Sequence, residues 1–175
     1  MKILIQSTPV ALWHEIIHDA EATCSISLNE ELESYLVFLM MRYTSQPDIV
    51  KKIMATNFLE GVNSSPSKKL LVLQQVGDNC LIFSGLFPKM AEKRLVKISY
   101  FVNMGRTAYS AISQHQSDLY DSLANHFVPL MDVLQSVRHS TKEFPDLLPL
   151  EAYDLWNETG SLRALSVLKQ YTFHK

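Results

Sequence analysis

A chain of 175 residues, 47% hydrophobic and 19% charged, can bury about two-thirds of its unfolded surface in one core and is too apolar for general disorder. Its 16 basic and 18 acidic residues leave a formal charge of −2, with no basic run longer than pairs such as Lys51-Lys52, Lys68-Lys69 and Lys93-Arg94, so nucleic acid is not an expected partner. The longest apolar run, Tyr35–Met41, falls far short of the ~20 residues that cross a bilayer, and MKILIQSTPV holds too little apolar sequence for a secretory leader. The expectation is one helical domain over residues 1–175, cytoplasmic, with no membrane contact.

In chain order, KILIQ is the one strand-like segment, and a lone strand makes no sheet. It reads as a short extended arm before the first helix. Thr8 predicts an N-cap with Pro9 at the first helical position. Ser27 and Glu30 stand at capping-box spacing ahead of LESYLVFLMMRY, whose apolar run marks it as the most buried element. SQPDIVKKIMATNFLEG reads as a helix ending on Gly61. Ser65-Pro66 opens the next helix, with Gly85 as its expected stop. Pro88 opens a segment reaching about Gln114 with a break near Leu95, and a long helix follows from about Ser117 to Arg138 with Pro129 inside it.

Pro149 starts LEAYDLWNE, Gly160 stops it and Ser161 caps the last helix. At 100° per residue Ile98, Phe101, Gly105, Ala108 and Ile112 share one stripe, with Ser99, Asn103, Arg106 and Ser110 opposite. Leu119, Leu123, His126, Phe127, Leu130, Leu134 and Val137 form another. Gly77 and Gly105 lie inside helices on apolar faces. Each costs about 1 kcal/mol of helix propensity against Ala, which predicts close helix–helix approach. The fold class is therefore an all-α bundle of seven or eight helices, packed around residues 30–43, 66–84 and 117–138.

WHEIIHDAE, at positions 13–21, holds the pattern His14-Glu15-x-x-His18. Zinc hydrolases use it because two His at i and i+4 project from one helix face and the Glu activates the bound water. Here the extension Gly and His at three and six residues past His18 is absent; Glu21 and Cys24 stand there. A site with a downstream carboxylate would draw on Glu30, Glu31 or Glu33. The wheel gathers Val10, Leu12, Trp13, Ile16, Ile17, Ala20 and Cys24 on one face and places His14, Glu15, His18, Asp19 and Glu21 on the other, toward water. A solvated face is thus expected, with no catalytic residue and no metal or cofactor; the alternative is a zinc-dependent hydrolase in which His14 and His18 hold the ion and Glu15 is the base. Glu15-x-x-His18 has no second copy for a di-iron site, and His18-Asp19 lacks the upstream His of an HD phosphohydrolase.

His126, one turn before Pro129, together with Asp78 and Arg106, marks a possible small-molecule pocket. Asp78 reads as solvated beside Gln74 or as the partner of Arg42 or Arg106. Cys24 and Cys80 stand alone in apolar stretches, as free buried thiols do, with one disulfide between them as the alternative that their spacing leaves open. No phosphate-cradling Gly motif, nucleophile elbow or Cys-x-x-Cys occurs.

EELESYLVFLMMR, VGDNCLIFSGLFPKMAEKR and SYFVNMGRTAY resemble a group of small, uncharacterised proteobacterial helical proteins with no assigned activity. The resemblance implies a bacterial origin and transfers no catalytic residue. Eight Phe, seven Met, seven Tyr and two Trp leave apolar material beyond a core of this size. The expected function is non-catalytic: binding a protein partner or a second copy as a homodimer.

Overall fold

The computed structural model describes residues 8–46, 65–89, 96–114, 118–141 and 146–172. Among them are eight α-helices and no strand: α1 (Pro9–Cys24), α2 (Glu30–Ser45), α3 (Pro66–Leu86), α4 (Ile98–Ser113), α5 (Asp118–Asn125), α6 (Phe127–Ser140), α7 (Pro149–Thr159) and α8 (Leu162–Thr172). KILIQ and the helix expected to end on Gly61 lie outside the described residues.

Helix ends follow local chemistry. The Thr8 side chain accepts from Ala11 N, with Pro9 opening α1. Asn29, not Ser27, caps α2: its Oδ1 accepts from Leu32 N at 2.9 Å. A side-chain oxygen at either position could serve, and Asn29 is the one in register with the buried Leu32 and Leu36. Gly160 closes α7 in the left-handed region (φ 74°). Ser161 then caps α8, its hydroxyl accepting from Ala164 N at 3.0 Å.

Two expectations about helix ends fail for physical reasons. The segment 117–138 is two helices, broken at His126 (φ −106°, ψ 17°). Pro129 has no N–H for the carbonyl of Asn125 and its ring crowds that carbonyl, so the helix restarts with Pro129 in its first turn. Gly85 does not stop α3 either, which runs on to Leu86. A Cβ on Gly85 would stand 2.6 Å from Leu134 Cβ, so this glycine serves packing.

The core is organised around α3 and α6. α3 packs most extensively on α4 and next on α6; α1 lies on α6 and α2, α5 folds back on α4, and α7 and α8 pair with each other. The most buried element is α6, buried continuously from Leu130 to Val137. α2 is not, because Phe38 is 59% exposed in the middle of its apolar run. The predicted stripe Ile98, Phe101, Gly105, Ala108 and Ile112 is buried throughout. No helix among the described residues is long and apolar enough to cross a membrane, and Cys24 and Cys80 are free thiols.

Two glycines set the spacing. A Cβ on Gly77 would stand 2.4 Å from the ring of Tyr109, and one on Gly105 would stand 2.4 Å from the ring of Phe127 and 3.0 Å from Cys80 Cβ. Tyr109 and Phe127 are fully buried and have nowhere to retreat. Gly77→Ala and Gly105→Ala are each expected to destabilise the fold by about 1–3 kcal/mol despite the gain in helix propensity. Urea denaturation checks this, and a stabilised Ala variant would disprove the close approach.

Candidate functional site

α1 leaves its last turn through Ser25 in the left-handed region (φ 56°), with Ile26 N donating back to Glu21 O at 3.0 Å. This turn carries the chain round so that Leu28 N donates to Glu21 Oε1 at 2.7 Å. The Glu21 side chain, expected on the solvated face, is only 7% exposed. The reason is that the stripe His14, His18, Glu21 at i, i+4 and i+7 runs beside the first turn of α2, which covers Glu21 while the two histidines stay exposed as expected. Glu33, on that turn, completes the group.

The geometry is close. His14 Nε2 lies 3.3 Å from Glu33 Oε1, His18 Nδ1 3.8 Å from the same oxygen, and His18 Nδ1 3.7 Å from Glu21 Oε2. The two imidazoles are nearly parallel, 17° apart with centroids at 6.5 Å. The rings are 55% and 73% exposed, whereas Glu33 Oε1 is buried and accepts no hydrogen bond. Burial pushes the Glu21 carboxyl above its ordinary value; the Leu28 N–H pulls it down, Glu33 pushes it up and the two histidines pull it down. Glu15 is exposed and belongs to none of these contacts. The structure thus gathers His14 and His18 with Glu21 and Glu33, and leaves the expected base outside. An i, i+4, i+7 polar stripe is the signal available in the sequence, and Glu33 is one of the three downstream carboxylates it offers; that Glu33 and not Glu30 or Glu31 arrives depends on the path of the turn.

His126, Asp78 and Arg106 do not converge. His126 is exposed at the α5–α6 break, its Nδ1 2.9 Å from Ser122 O, and not on the buried stripe. Arg106 is exposed on α4. Asp78 is buried and not solvated. It accepts from Tyr35 OH at 2.5 Å, Tyr109 OH at 2.6 Å and Arg42 at 3.1 Å, linking α2, α3 and α4. Burial raises its carboxyl above the usual range, against the tyrosine hydroxyls and Arg42, which lower it. A groove of about 240 Å³ between α4 and α7 is lined by Val96, Ile98, Glu151, Asp154 and Leu155 among others; a cavity of about 20 Å³ lies by Pro88, Gln135 and Arg163. None of the three expected pocket residues lines either.

The α7–α8 hairpin is keyed to the body by buried polar groups. Asp132 on α6 accepts from Ser161 Oγ at 2.6 Å and from Arg163 N at 3.4 Å, at the start of α8. Arg163 in turn holds Asp146 at 2.9 and 3.1 Å and donates to Gln135 at 3.2 Å. Ala152, Leu155, Ala164 and Val167 form the hairpin's buried face. Its remaining surface carries Leu148, Leu150, Tyr153, Leu162 and Tyr171, all at least 46% exposed. No protein-family model, curated protein or solved structure matches the chain, so every assignment rests on the chain's own residues.

Two expectations follow. Asp78→Ala leaves the hydroxyls of Tyr35 and Tyr109 without their acceptor and is expected to cost about 3–5 kcal/mol in chemical denaturation, whereas a solvated Asp78 would cost nothing. Burial raises Asp132 to about 6, with Ser161 and Arg163 opposing the rise. Its folded value exceeds its unfolded one, so its contribution to stability is complete below about pH 4 and is lost as pH rises through 6. Denaturation at several pH values should show the native protein losing up to about 3 kcal/mol across that window relative to Asp132→Asn. Parallel pH profiles would refute the burial argument. Asp146 does not confuse the reading: burial raises it, but the hydrogen bonds and charge of Arg163, the Leu147 N–H and His139 outweigh that and hold it below its ordinary value, so its effect falls at lower pH.

Proposed function

We propose that this protein works by association, presenting exposed apolar side chains of the α7–α8 hairpin to another protein surface, a second copy of itself included. The observation that carries the reading is the set Leu148, Leu150, Tyr153, Leu162 and Tyr171, exposed on two adjoining helices and the residue that opens the first, a hairpin held in place by Asp132, Ser161, Arg163 and Asp146. Apolar side chains scattered singly over a surface need no explanation, but a concentration of them on one rigid element is how interfaces are built. Tyr153, in edge contact with Trp156, adds an aromatic pair of the kind that anchors interfaces. The lock matters as much as the patch, because a face held in one conformation loses little entropy on binding.

Sedimentation analysis over a range of concentrations tests the reading together with hydrogen exchange of the hairpin, measured on the dilute chain, the concentrated chain and the chain in cell lysate. The expected result is protection of residues in 149–172 that appears with concentration or with lysate and is lost in Leu150→Asp/Leu162→Asp. Both substitutions fall on exposed positions (72% and 67%), so the melting temperature should hold. A chain that stays monomeric and shows no such protection in either setting would sink the reading.

A further inference from the structure

The association reading leaves His14, His18, Glu21 and Glu33 without a role, and their geometry is not that of a satisfied polar cluster. A carboxylate accepts hydrogen bonds and donates none. An acceptor left buried without a donor costs about 1–3 kcal/mol, more when charged. Glu33 Oε1 is buried and accepts no hydrogen bond, its closest donor being His14 Nε2 at 3.3 Å, and the second carboxylate beside it, Glu21, is almost entirely buried. The separations of 3.7 and 3.8 Å from His18 Nδ1 to Glu21 Oε2 and Glu33 Oε1 exceed the 2.7–3.2 Å span of an N–H···O hydrogen bond. They approach the spacing of atoms that share an ion: ligands about 2.0–2.2 Å from a tetrahedral centre stand roughly 3.3–3.6 Å from one another. All three ligand atoms lie within 4.8 Å of one another.

We propose that His18 Nδ1, Glu21 Oε2 and Glu33 Oε1 form a three-donor binding site for a divalent transition-metal ion, zinc(II) in the first place, with His14 orienting Glu33 from outside the group. The imidazole nitrogen excludes a purely oxygen-seeking ion such as calcium, and two carboxylates with an imidazole are a borderline donor set that suits zinc. Two carboxylates also neutralise a dipositive ion. The Leu28 N–H on Glu21 Oε1 fixes that carboxyl with Oε2 toward His18, the orienting contact that metal ligands require. The ion joins α1 to α2 across their connecting turn. Its role is structural: Glu15 stands outside the group, and the ligands beyond His18 are Glu21 and Glu33.

The test is zinc(II) titration of the full chain, purified without metal-affinity resin, followed by calorimetry and by the visible absorption of the cobalt(II)-substituted protein. The native chain should take up one ion, with tetrahedral cobalt bands and a raised melting temperature. His18→Ala and Glu33→Gln should each weaken binding by about 100-fold or more, while Glu15→Gln leaves it unchanged. His18 is an exposed side chain, so its variant reports on binding even if Glu33→Gln compromises folding. Absence of binding at micromolar free zinc overturns the proposal. So does binding that survives Glu33→Gln in a folded chain, or that disappears with Glu15→Gln, since each describes adventitious capture by surface side chains. The hairpin face takes no part in this measurement, so its outcome is independent of the association reading.

Discussion

The fold depends on how closely α3 can approach its neighbours. Gly77 lies under Tyr109 of α4, Gly85 under Leu134 of α6, and Gly105 of α4 admits the Phe127 ring against Cys80 of α3. With no Cβ at three such positions, side chains of one helix rest on the backbone of another, and α3, α4 and α6 meet with their bulkiest core residues fully enclosed. Each glycine lowers intrinsic helix propensity by about 1 kcal/mol, so the arrangement is favourable only because burial of Tyr109, Phe127 and Leu134, at about 1.5–3 kcal/mol for a large apolar side chain, outweighs it. The outer elements α1, α2, α5, α7 and α8 are placed on that centre.

Within this apolar frame the buried polar groups act as keys. Asp78 draws one donor from α2, one from α4 and a guanidinium from α2; Asp132 draws a hydroxyl and a backbone N–H from the start of α8. A buried charge gains little net stability over an apolar replacement, but losing one partner is costly. Pairings that leave either aspartate unmatched are therefore penalised, and the helices of this bundle are held in register by chemistry that apolar contacts do not supply. The keyed hairpin α7–α8 is the visible result: its inner face is fixed by Asp132, Gln135 and Asp146, and its apolar outer residues are displayed without slack.

What could be read from the residues divides along local and non-local lines. Thr8-Pro9, Gly160 and Ser161 are punctuation with a purely local mechanism, and they stand where expected. The stripe from Ile98 to Ile112 is legible because a helix repeats every 3.6 residues whatever surrounds it. His126 and Phe38 depart from the stripes for different reasons: Pro129 is plain in the sequence but breaks the helix at His126 where a continuous helix is expected, and the face that carries Phe38 is left uncovered, which only the packing reveals. Asp78 gives no local sign of being buried, since its partners lie 36, 31 and 43 residues away. The same holds for the α1–α2 cluster. His14 and His18 were visible as a motif, but the direction they face depends on Ser25 and on where Glu33 arrives.

The chain also supplies its own standard for what a satisfied buried carboxylate looks like. Asp132 meets Ser161 at 2.6 Å, Asp78 meets two tyrosines at 2.5 and 2.6 Å, and Asp146 meets Arg163 at 2.9 Å. These are charge-assisted lengths. Around His18 the contacts stop at 3.7 and 3.8 Å, although the imidazole is on an exposed helix face and free to come closer. The aspartates are held by close donor–acceptor pairs, whereas His18 stands between Glu21 and Glu33 without a close bond to either. Loose histidine–carboxylate contacts also occur between His139 and Asp146, at 3.5 Å; what sets the α1–α2 junction apart is that two carboxylates, one almost entirely buried, lie beside one imidazole.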